Sequence, residues 1–354
     1  MAPLVAEIAR TPGLSGRVCV TAQHREMLDQ TLDVFGVVPD YDMNLMRPAQ
    51  TLADITSAVL TGLGPILEEY GPDLVLVHGD TTTSFAAALA AFYQKITVGH
   101  VEAGLRSFHR YSPFPEEMNR SLTARLALLH FCPTESNAAN LRAEGVQGLV
   151  AVTGNTVIDA LHALVRPNYV FHNPVLSAFD FSAGRTVLLT AHRRENFGAP
   201  LEQIFHAVLR LTEAYKDLRF IYPVHKNPAV SETARRILGG RERITLIDPI
   251  EADDMHNLIS RCYMVLTDSG GLQEEAPALG KPVLVLRTET ERPEAVEMGT
   301  VKVVGVKEAD IFREAALLLD DGAEYRRMSQ AVNPYGDGFA SRRICAEIKK
   351  YFGA

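Results

Sequence analysis

The sequence predicts an α/β protein built from two doubly wound parallel sheets, and three observations carry that prediction. Short apolar, β-branched runs alternate with longer helical patterns along most of the chain, the signature of parallel strands joined by crossover helices. Polar and charged residues gather where those runs end, the edge at which doubly wound sheets hold ligands. One run, 263–266, passes through Thr267-Asp268-Ser269-Gly270-Gly271 into a helical pattern starting at Leu272. That is a strand, a tight turn and a helix N-terminus.

The elements follow in order. Met1, Leu4, Val5 and Ile8 share one helical face, so the chain opens with an amphipathic helix. A first series of strand-like runs covers 17–21, 74–77, 96–100, 129–132 and 149–152. A second covers 186–190, 220–224, 244–247, 263–266, 283–286 and 301–304. Helical patterns lie between them, for example over 51–69 and 201–215. The stretch 166–185, with Pro167, Asn168, Pro174 and Gly184, loses the periodicity, and a domain boundary is expected there. The expected division is 1–165 and 166–338. A break at Asn333-Pro334-Tyr335-Gly336-Asp337-Gly338 precedes a last helix. That helix is expected to return residues 339–354 to the first domain. Two such domains facing each other would put a cleft at the carboxyl ends of the strands.

Length and composition agree with this division. At 354 residues, two domains are favoured over one, and 47% hydrophobic residues supply an ample core. A net charge of −8 argues against nucleic acid as a partner. No apolar run approaches the ~20 residues of a membrane helix, and no secretory signal opens the chain. Cys19, Cys132, Cys262 and Cys345 lie far apart with no metal-ligand spacing. Buried thiols in a cytoplasmic protein are expected, with no metal.

Chemistry is expected at the strand ends. The glycine turn after 263–266 suits an anion, above all phosphate, because exposed N–H groups and the helix dipole converge there. Glu275 lies one helical turn beyond Gly271, where a carboxylate can accept both hydroxyls of a ribose, so the stretch points to a nucleoside diphosphate. The two glycines alone would mean no more than a turn. His78-Gly79-Asp80-Thr81 closes one strand, and for Asp80 the commoner role is a helix N-cap. Gly99-His100-Val101-Glu102 closes the next; a satisfied core histidine is expected at His100. Pro115-Glu116-Glu117-Met118-Asn119-Arg120 opens a helix, with Glu116 and Arg120 on one face. A surface pair there would contribute only ~0.3–0.5 kcal/mol; a carboxylate held beside a cation at the cleft is the functional alternative. In the second half, His192-Arg193-Arg194, His225 and Arg292 follow strands. There, phosphate recognition competes with a solvated face. Close carboxylates raise one another's pKa, so the Asp80, Glu102 and Glu116 group suits proton transfer on a sugar.

These strings together resemble the non-hydrolysing UDP-N-acetylglucosamine 2-epimerases over essentially the whole chain. The matching stretches include Thr21-Ala22-Gln23-His24-Arg25-Glu26, His78-Gly79-Asp80-Thr81-Thr82-Thr83 and Gly99-His100-Val101-Glu102-Ala103-Gly104-Leu105-Arg106. Pro115-Glu116-Glu117, Thr153-Gly154-Asn155-Thr156, His192-Arg193-Arg194-Glu195 and Thr267-Asp268-Ser269-Gly270-Gly271 follow in order. So do Glu291-Arg292-Pro293-Glu294 and the break at 333–338. The resemblance implies two Rossmann-like domains of glycosyltransferase-B type, a homodimer, no cofactor, and interconversion of UDP-GlcNAc and UDP-ManNAc for surface polysaccharide. It implies elimination of UDP to 2-acetamidoglucal and re-addition with the proton on the other face. It gives Asp80, Glu102 and Glu116 as catalytic carboxylates with Arg120 beside them. His192, Ser269, Gly270 and Gly271 would meet the diphosphate, with Arg292 near the phosphates and Glu275 on the ribose. Gln23, Arg193 and His225 would contact a second UDP-GlcNAc, an activator.

One departure stands out. Relatives begin with a strand and a Gly-Thr-Arg-Pro-Glu turn ahead of the segment matching Met1-Ala2-Pro3-Leu4, and both are missing here. The expectation is an N-terminally shortened chain whose first sheet lacks a central strand and a phosphate-binding Arg. The competing readings are a UDP-sugar glycosyltransferase, a hydrolysing epimerase of the same fold, and an inactive sugar-nucleotide-binding protein.

Overall fold

The computed structural model describes residues 1–22, 25–45, 47, 49–290 and 292–353. The chain forms two compact units, 1–160 with 335–354 and 161–334. Both divisions fall a few residues ahead of the boundaries expected from composition, and side chains explain why. The Asn257 amide donates to Leu164 O at 2.9 Å and its oxygen accepts the Arg166 N–H at 2.9 Å, so the end of the preceding helix is held by the second unit. At the other crossing, the Asn155 N–H donates to Tyr335 O at 2.7 Å and ties that turn to the first unit.

The first unit runs α1 (Ala2–Arg10), β1 (Cys19–Val20), α2 (Arg25–Phe35), β2 (Tyr41–Asp42), α3 (Leu52–Tyr70), β3 (Leu74–His78), α4 (Thr82–Tyr93) and β4 (Thr97–Val101). Then come α5 (Glu116–Leu126), β5 (Leu129–Cys132), α6 (Glu135–Ala143), β6 (Leu149–Val152) and α7 (Thr156–Leu164), which spans the division. Its strands form two parallel sheets, β3-β4-β5-β6 and the short pair β1-β2. The pair carries only two residues on each strand, Cys19-Val20 beside Tyr41-Asp42, so the run expected over 17–21 is strand only at its centre. Leu4 of α1 is fully buried and packs with Phe131, Leu129 and Val101 beneath the last helix, α16 (Ala340–Phe352), through Ile344 and Ile348.

The second unit runs α8 (Pro174–Ser177), β7 (Arg185–Thr190), a single 3-10 turn (Arg194–Asn196), α9 (Ala199–Ala214), β8 (Leu218–Pro223), α10 (Pro228–Leu238) and β9 (Ile244–Ile247). It continues with α11 (Ala252–Arg261), β10 (Met264–Thr267), α12 (Leu272–Ala278), β11 (Val283–Val285), α13 (Pro293–Glu297), β12 (Val301–Val303), α14 (Glu308–Asp320) and α15 (Gly322–Ser329). All six strands are parallel, in the order β12-β11-β10-β7-β8-β9. Helices cover such a sheet on both faces, so its strands read as continuous apolar runs. Val187, Leu188, Leu189, Met264, Val265 and Leu266 are all fully buried. The strand order reverses between β7 and β10, the position at which open parallel sheets hold ligands.

Two buried polar groups tie the first unit together. Phe339, ahead of α16, provides no side-chain cap. Asp159 of α7 supplies one instead, accepting the Ala340 and Ser341 N–H groups at 3.0 and 2.7 Å. His100 of β4 is fully buried, as expected, and its Nε2–H donates to Gly79 O at 2.8 Å. Burial pushes its imidazole down to about 4.

Both groups make predictions. Asp159→Ala strands two N–H groups and should lower stability by ~1–3 kcal/mol, with Asp159→Asn intermediate, read by urea unfolding. For His100, the unfolded ring titrates near 6.5 and the folded ring about 4, so the unfolded chain binds the extra proton between those values. Stability attributable to this ring is therefore complete above pH 6.5 and is lost as pH falls toward 4, by about 3 kcal/mol in all. His100→Gln retains a donor for Gly79 O and removes the titration. Its unfolding free energy should fall less steeply than wild type over that window in denaturant titrations at each pH.

Candidate functional site

In the first unit, candidate groups stand at the carboxyl ends of β3 and β4 and at the start of α5. Gly79 has φ +66, and a Cβ there would sit 3.1 Å from Glu102 Oε2, so glycine both permits the turn and leaves room for that carboxylate. The N-cap of α4 is Thr81, which accepts the Ser84 N–H at 3.2 Å. Asp80 is thereby released from the capping role that its position suggests. Its carboxylate meets Arg120 Nη2 at 2.8 Å. Burial pushes the Asp80 carboxyl above its ordinary value; Arg120 pulls it back and Glu116 adds to the rise. Glu102, held at φ +63, accepts from the Asn155 amide at 3.3 Å and lies 3.7 Å from His78 Nε2.

The expected pairing of Glu116 with Arg120 along α5 is replaced by another. The Arg120 side chain is largely buried and turns to Asp80 and to Glu117, 3.6 Å away, because the inward side of the helix faces the end of β3. Glu117 carries weight that its place in the motif did not reveal. It is 4% exposed and accepts the Ser107 and Phe108 N–H groups at 3.0 Å each. Asn119 donates to Asp80 O at 2.9 Å. The signal was present in the sequence as polar residues at consecutive turns of a helix that also had to bury a face.

In the second unit, the groups stand at the ends of β7 and β10, on either side of the strand reversal. Asp268 is fully buried. Its Oδ2 accepts the His192 N–H at 2.8 Å, the Arg193 N–H at 2.9 Å and the Asn196 amide at 3.0 Å. The His192 ring is 39% exposed, lies 3.4 Å from Asp268 Oδ1 and stacks on His225 with centroids 5.7 Å apart. Burial lowers the His192 pKa, Asp268 raises it, and His225 and Arg193 lower it further. Asp268 and Asn196 were not singled out from sequence, since an apolar run followed by Asp reads equally well as a strand end.

The glycine turn is set by local bonds. Ser269 N–H donates to Thr267 Oγ1 at 2.9 Å, Gln273 N–H to Gly270 O at 3.2 Å and Glu275 N–H to Gly271 O at 3.0 Å. Gly271 has an ordinary helical φ of −61, so backbone conformation does not require glycine there. A Cβ on Gly271 would stand 3.5 Å from Glu275 Oε1, which locates the carboxylate beside the turn. Glu275 Oε2 also lies 3.4 Å from His256 Nε2 on α11. Arg292 engages Glu274 of α12 through Nε. His225 accepts the Asn227 N–H on Nδ1 at 3.1 Å. Gln23 and Glu291 lie outside the described residues.

Sequence spacing held no metal cluster, yet the fold brings donor atoms of His172, Glu251 and Asp253 within 4.8 Å of one another. Asp253 also has a structural partner. Asp253 and Asp254 both accept from the Tyr169 hydroxyl at 2.8 Å, and Asp254 also accepts the His172 and Asn173 N–H groups. Acidic residues at the start of α11 thus pin the segment after α7, and no helix among the described residues is long and apolar enough to cross a membrane.

A family model described as UDP-N-acetylglucosamine 2-epimerase matches residues 6–349. The UDP-N-acetylglucosamine 2-epimerase of Bacillus subtilis (strain 168) is 53% identical over 354 residues, covering 100% of this chain and 92% of that protein. The Escherichia coli (strain K12) enzyme of the same name is 51% identical over 363 residues, covering 99% and 94%. Among solved structures, a UDP-N-acetylglucosamine 2-epimerase superposes with TM-score 0.92 at 51% identity, covering 100% of this chain and 92% of that one. The Neisseria meningitidis UDP-GlcNAc 2-epimerase bound to UDP-GlcNAc gives 0.83 at 46%, covering 99% and 96%. With its parallel sheets, Asp80 and Glu102 at strand ends and the glycine turn after β10, the chain belongs to the UDP-N-acetylglucosamine 2-epimerase family.

Proposed function

We propose that the protein reversibly converts UDP-N-acetylglucosamine to UDP-N-acetylmannosamine by a non-hydrolysing route. The observation that carries this reading is the carboxylate group of the first unit: Asp80 on Arg120, with Glu116 near enough to raise it and Glu102 on the adjoining strand end. The proton on carbon 2 of the sugar is not acidic enough for direct abstraction, so chemistry starts at carbon 1. The carbon 1–oxygen bond breaks with its electron pair leaving on UDP. Carbon 2 loses its proton to one carboxylate, and a carbon 1–carbon 2 double bond forms, giving 2-acetamidoglucal. UDP then adds back at carbon 1 while a second carboxylic acid delivers a proton to the opposite face of carbon 2.

This scheme needs an acid and a base at one pH. An Asp80 carboxyl raised by burial and by Glu116 supports such a division of roles. Positive charge develops on the sugar and negative charge on UDP. Carboxylates suit the first; His192 and the turn Ser269-Gly270-Gly271 suit the second. Glu275 beside Gly271 takes the ribose hydroxyls, and Arg292 lies near the phosphates. Arg193 and His225, with Gln23, take a second UDP-GlcNAc as activator. The working form is a cytoplasmic homodimer that needs no cofactor or metal, and its product enters surface polysaccharide.

Turnover of UDP-GlcNAc in heavy water, followed by proton NMR, tests the reading. UDP-ManNAc should appear with deuterium at carbon 2; free ManNAc would mean a hydrolysing enzyme, and saturable binding without turnover a binding protein. Asp80→Asn should lower kcat by roughly 10²–10⁴-fold while UDP binding stays near wild type. Unchanged turnover rejects the catalytic role of Asp80.

A further inference from the structure

We infer that Asp268 is a positioning residue that fixes His192 with its proton on Nδ1, so that Nε2 is the nitrogen offered to an anion and gains a proton when a diphosphate binds. The inference rests on the proposed place of His192 at the diphosphate.

The geometry leaves Asp268 one purpose beyond holding backbone. Its Oδ2 is saturated by three donors, two of them the N–H groups of His192 and Arg193 themselves. Its Oδ1, fully buried, has no hydrogen-bond partner and lies 3.4 Å from His192 Nδ1. An ionised carboxylate only accepts, and its uncommitted oxygen lies nearest Nδ1, so the geometry favours hydrogen on that ring nitrogen. Asn196 keeps the carboxylate in place, since its amide also donates to Leu286 O at 3.1 Å.

Other groups facing His192 do not compete for that proton. His225, from the end of β8, stacks on the ring at 15° and accepts the Asn227 N–H on its own Nδ1, so its proton sits on Nε2. Tyr222 of β8 donates its hydroxyl to Ala191 O and is held neutral by burial and by Asp268. Arg193 adds a positive charge beside the ring. The unliganded ring is thus neutral at neutral pH, with Nδ1–H toward Asp268 and a bare Nε2. A diphosphate at Nε2 places a second anion on the opposite edge. One proton then passes from solvent to Nε2, and Nε2–H donates to a phosphate oxygen.

The test uses the full chain labelled with ¹⁵N-histidine, His192 being assigned by the His192→Gln variant. Near pH 7.5 without ligand, the His192 ring nitrogens should report the Nδ1–H tautomer, opposite to His225. Titration calorimetry with UDP in buffers of different ionisation enthalpy should show proton uptake approaching one per site. Asp268→Asn should redistribute the tautomer toward Nε2–H, remove the uptake and weaken UDP binding by roughly ten-fold, whereas a purely structural loss would leave the tautomer unchanged in the folded fraction. An Nε2–H tautomer in the wild-type protein overturns the inference, and this reading does not depend on Asp268→Asn folding. Unchanged uptake in Asp268→Asn overturns it equally. A His192→Gln variant with wild-type UDP affinity and uptake would instead overturn the placement of His192 at the diphosphate, and with it the uptake, leaving the ligand-free tautomer to judge Asp268 alone.

Discussion

The second unit depends on one buried carboxylate. β7 and β10 are neighbours where the strand order reverses, so the chain leaves their ends in loops with no ladder to hold them. Asp268 closes that gap. It lies one residue beyond β10 and takes its donors from the loop after β7, at His192, Arg193 and Asn196. A fully buried charge without partners would be prohibitively costly; with three donors it becomes a fixed point. The glycine turn follows immediately on one side and the His192 ring on the other. The glycine turn and the His192 ring are thus joined through a residue that is fully buried.

The first unit solves a different problem by similar means. In the proposed reaction, proton transfer on a weakly acidic carbon needs carboxyl groups that are neither solvated nor neutralised. Arg120 alone would pull Asp80 down and make it a poor acid; burial and Glu116 push the other way and win. Glu117 keeps Arg120 from giving its whole charge to Asp80, because the guanidinium is shared across 2.8 and 3.6 Å contacts. Glu117 also clamps the backbone at Ser107 and Phe108, so the side chain that shares Arg120 with Asp80 also holds the loop leading into α5.

Much of this was legible in the sequence because burial on both faces leaves a clear trace. Strands such as Leu129–Cys132, Leu149–Val152 and Ile244–Ile247 read as mainly apolar runs and fold over those residues. β2, Tyr41–Asp42, was not read, since two residues with a polar partner carry no periodicity. Helix spacing suggested Glu116 with Arg120; tertiary burial turned Arg120 inward instead. Capping rules favoured Asp80 at the start of α4, and Thr81 took the position. At Arg120, a local rule met a competing partner, Asp80, that lay forty residues earlier in the chain.

That pattern explains why the residues argued to do the chemistry were easier to find than those that position them. Asp80, Glu102 and His192 lie at strand ends, where the change from apolar to polar is abrupt. Asp268, Glu117 and Asn196 are buried and differ from ordinary polar residues only in what they touch. A carboxylate aimed at solvent is tuned by its surroundings; a buried one does the tuning, because in a medium of low polarizability it acts on every neighbour. Asp268 illustrates the consequence. It holds the backbone at His192 and Arg193 and stands against the His192 ring, and so, in the proposed role, the behaviour of the half-exposed imidazole is written in a residue buried behind it.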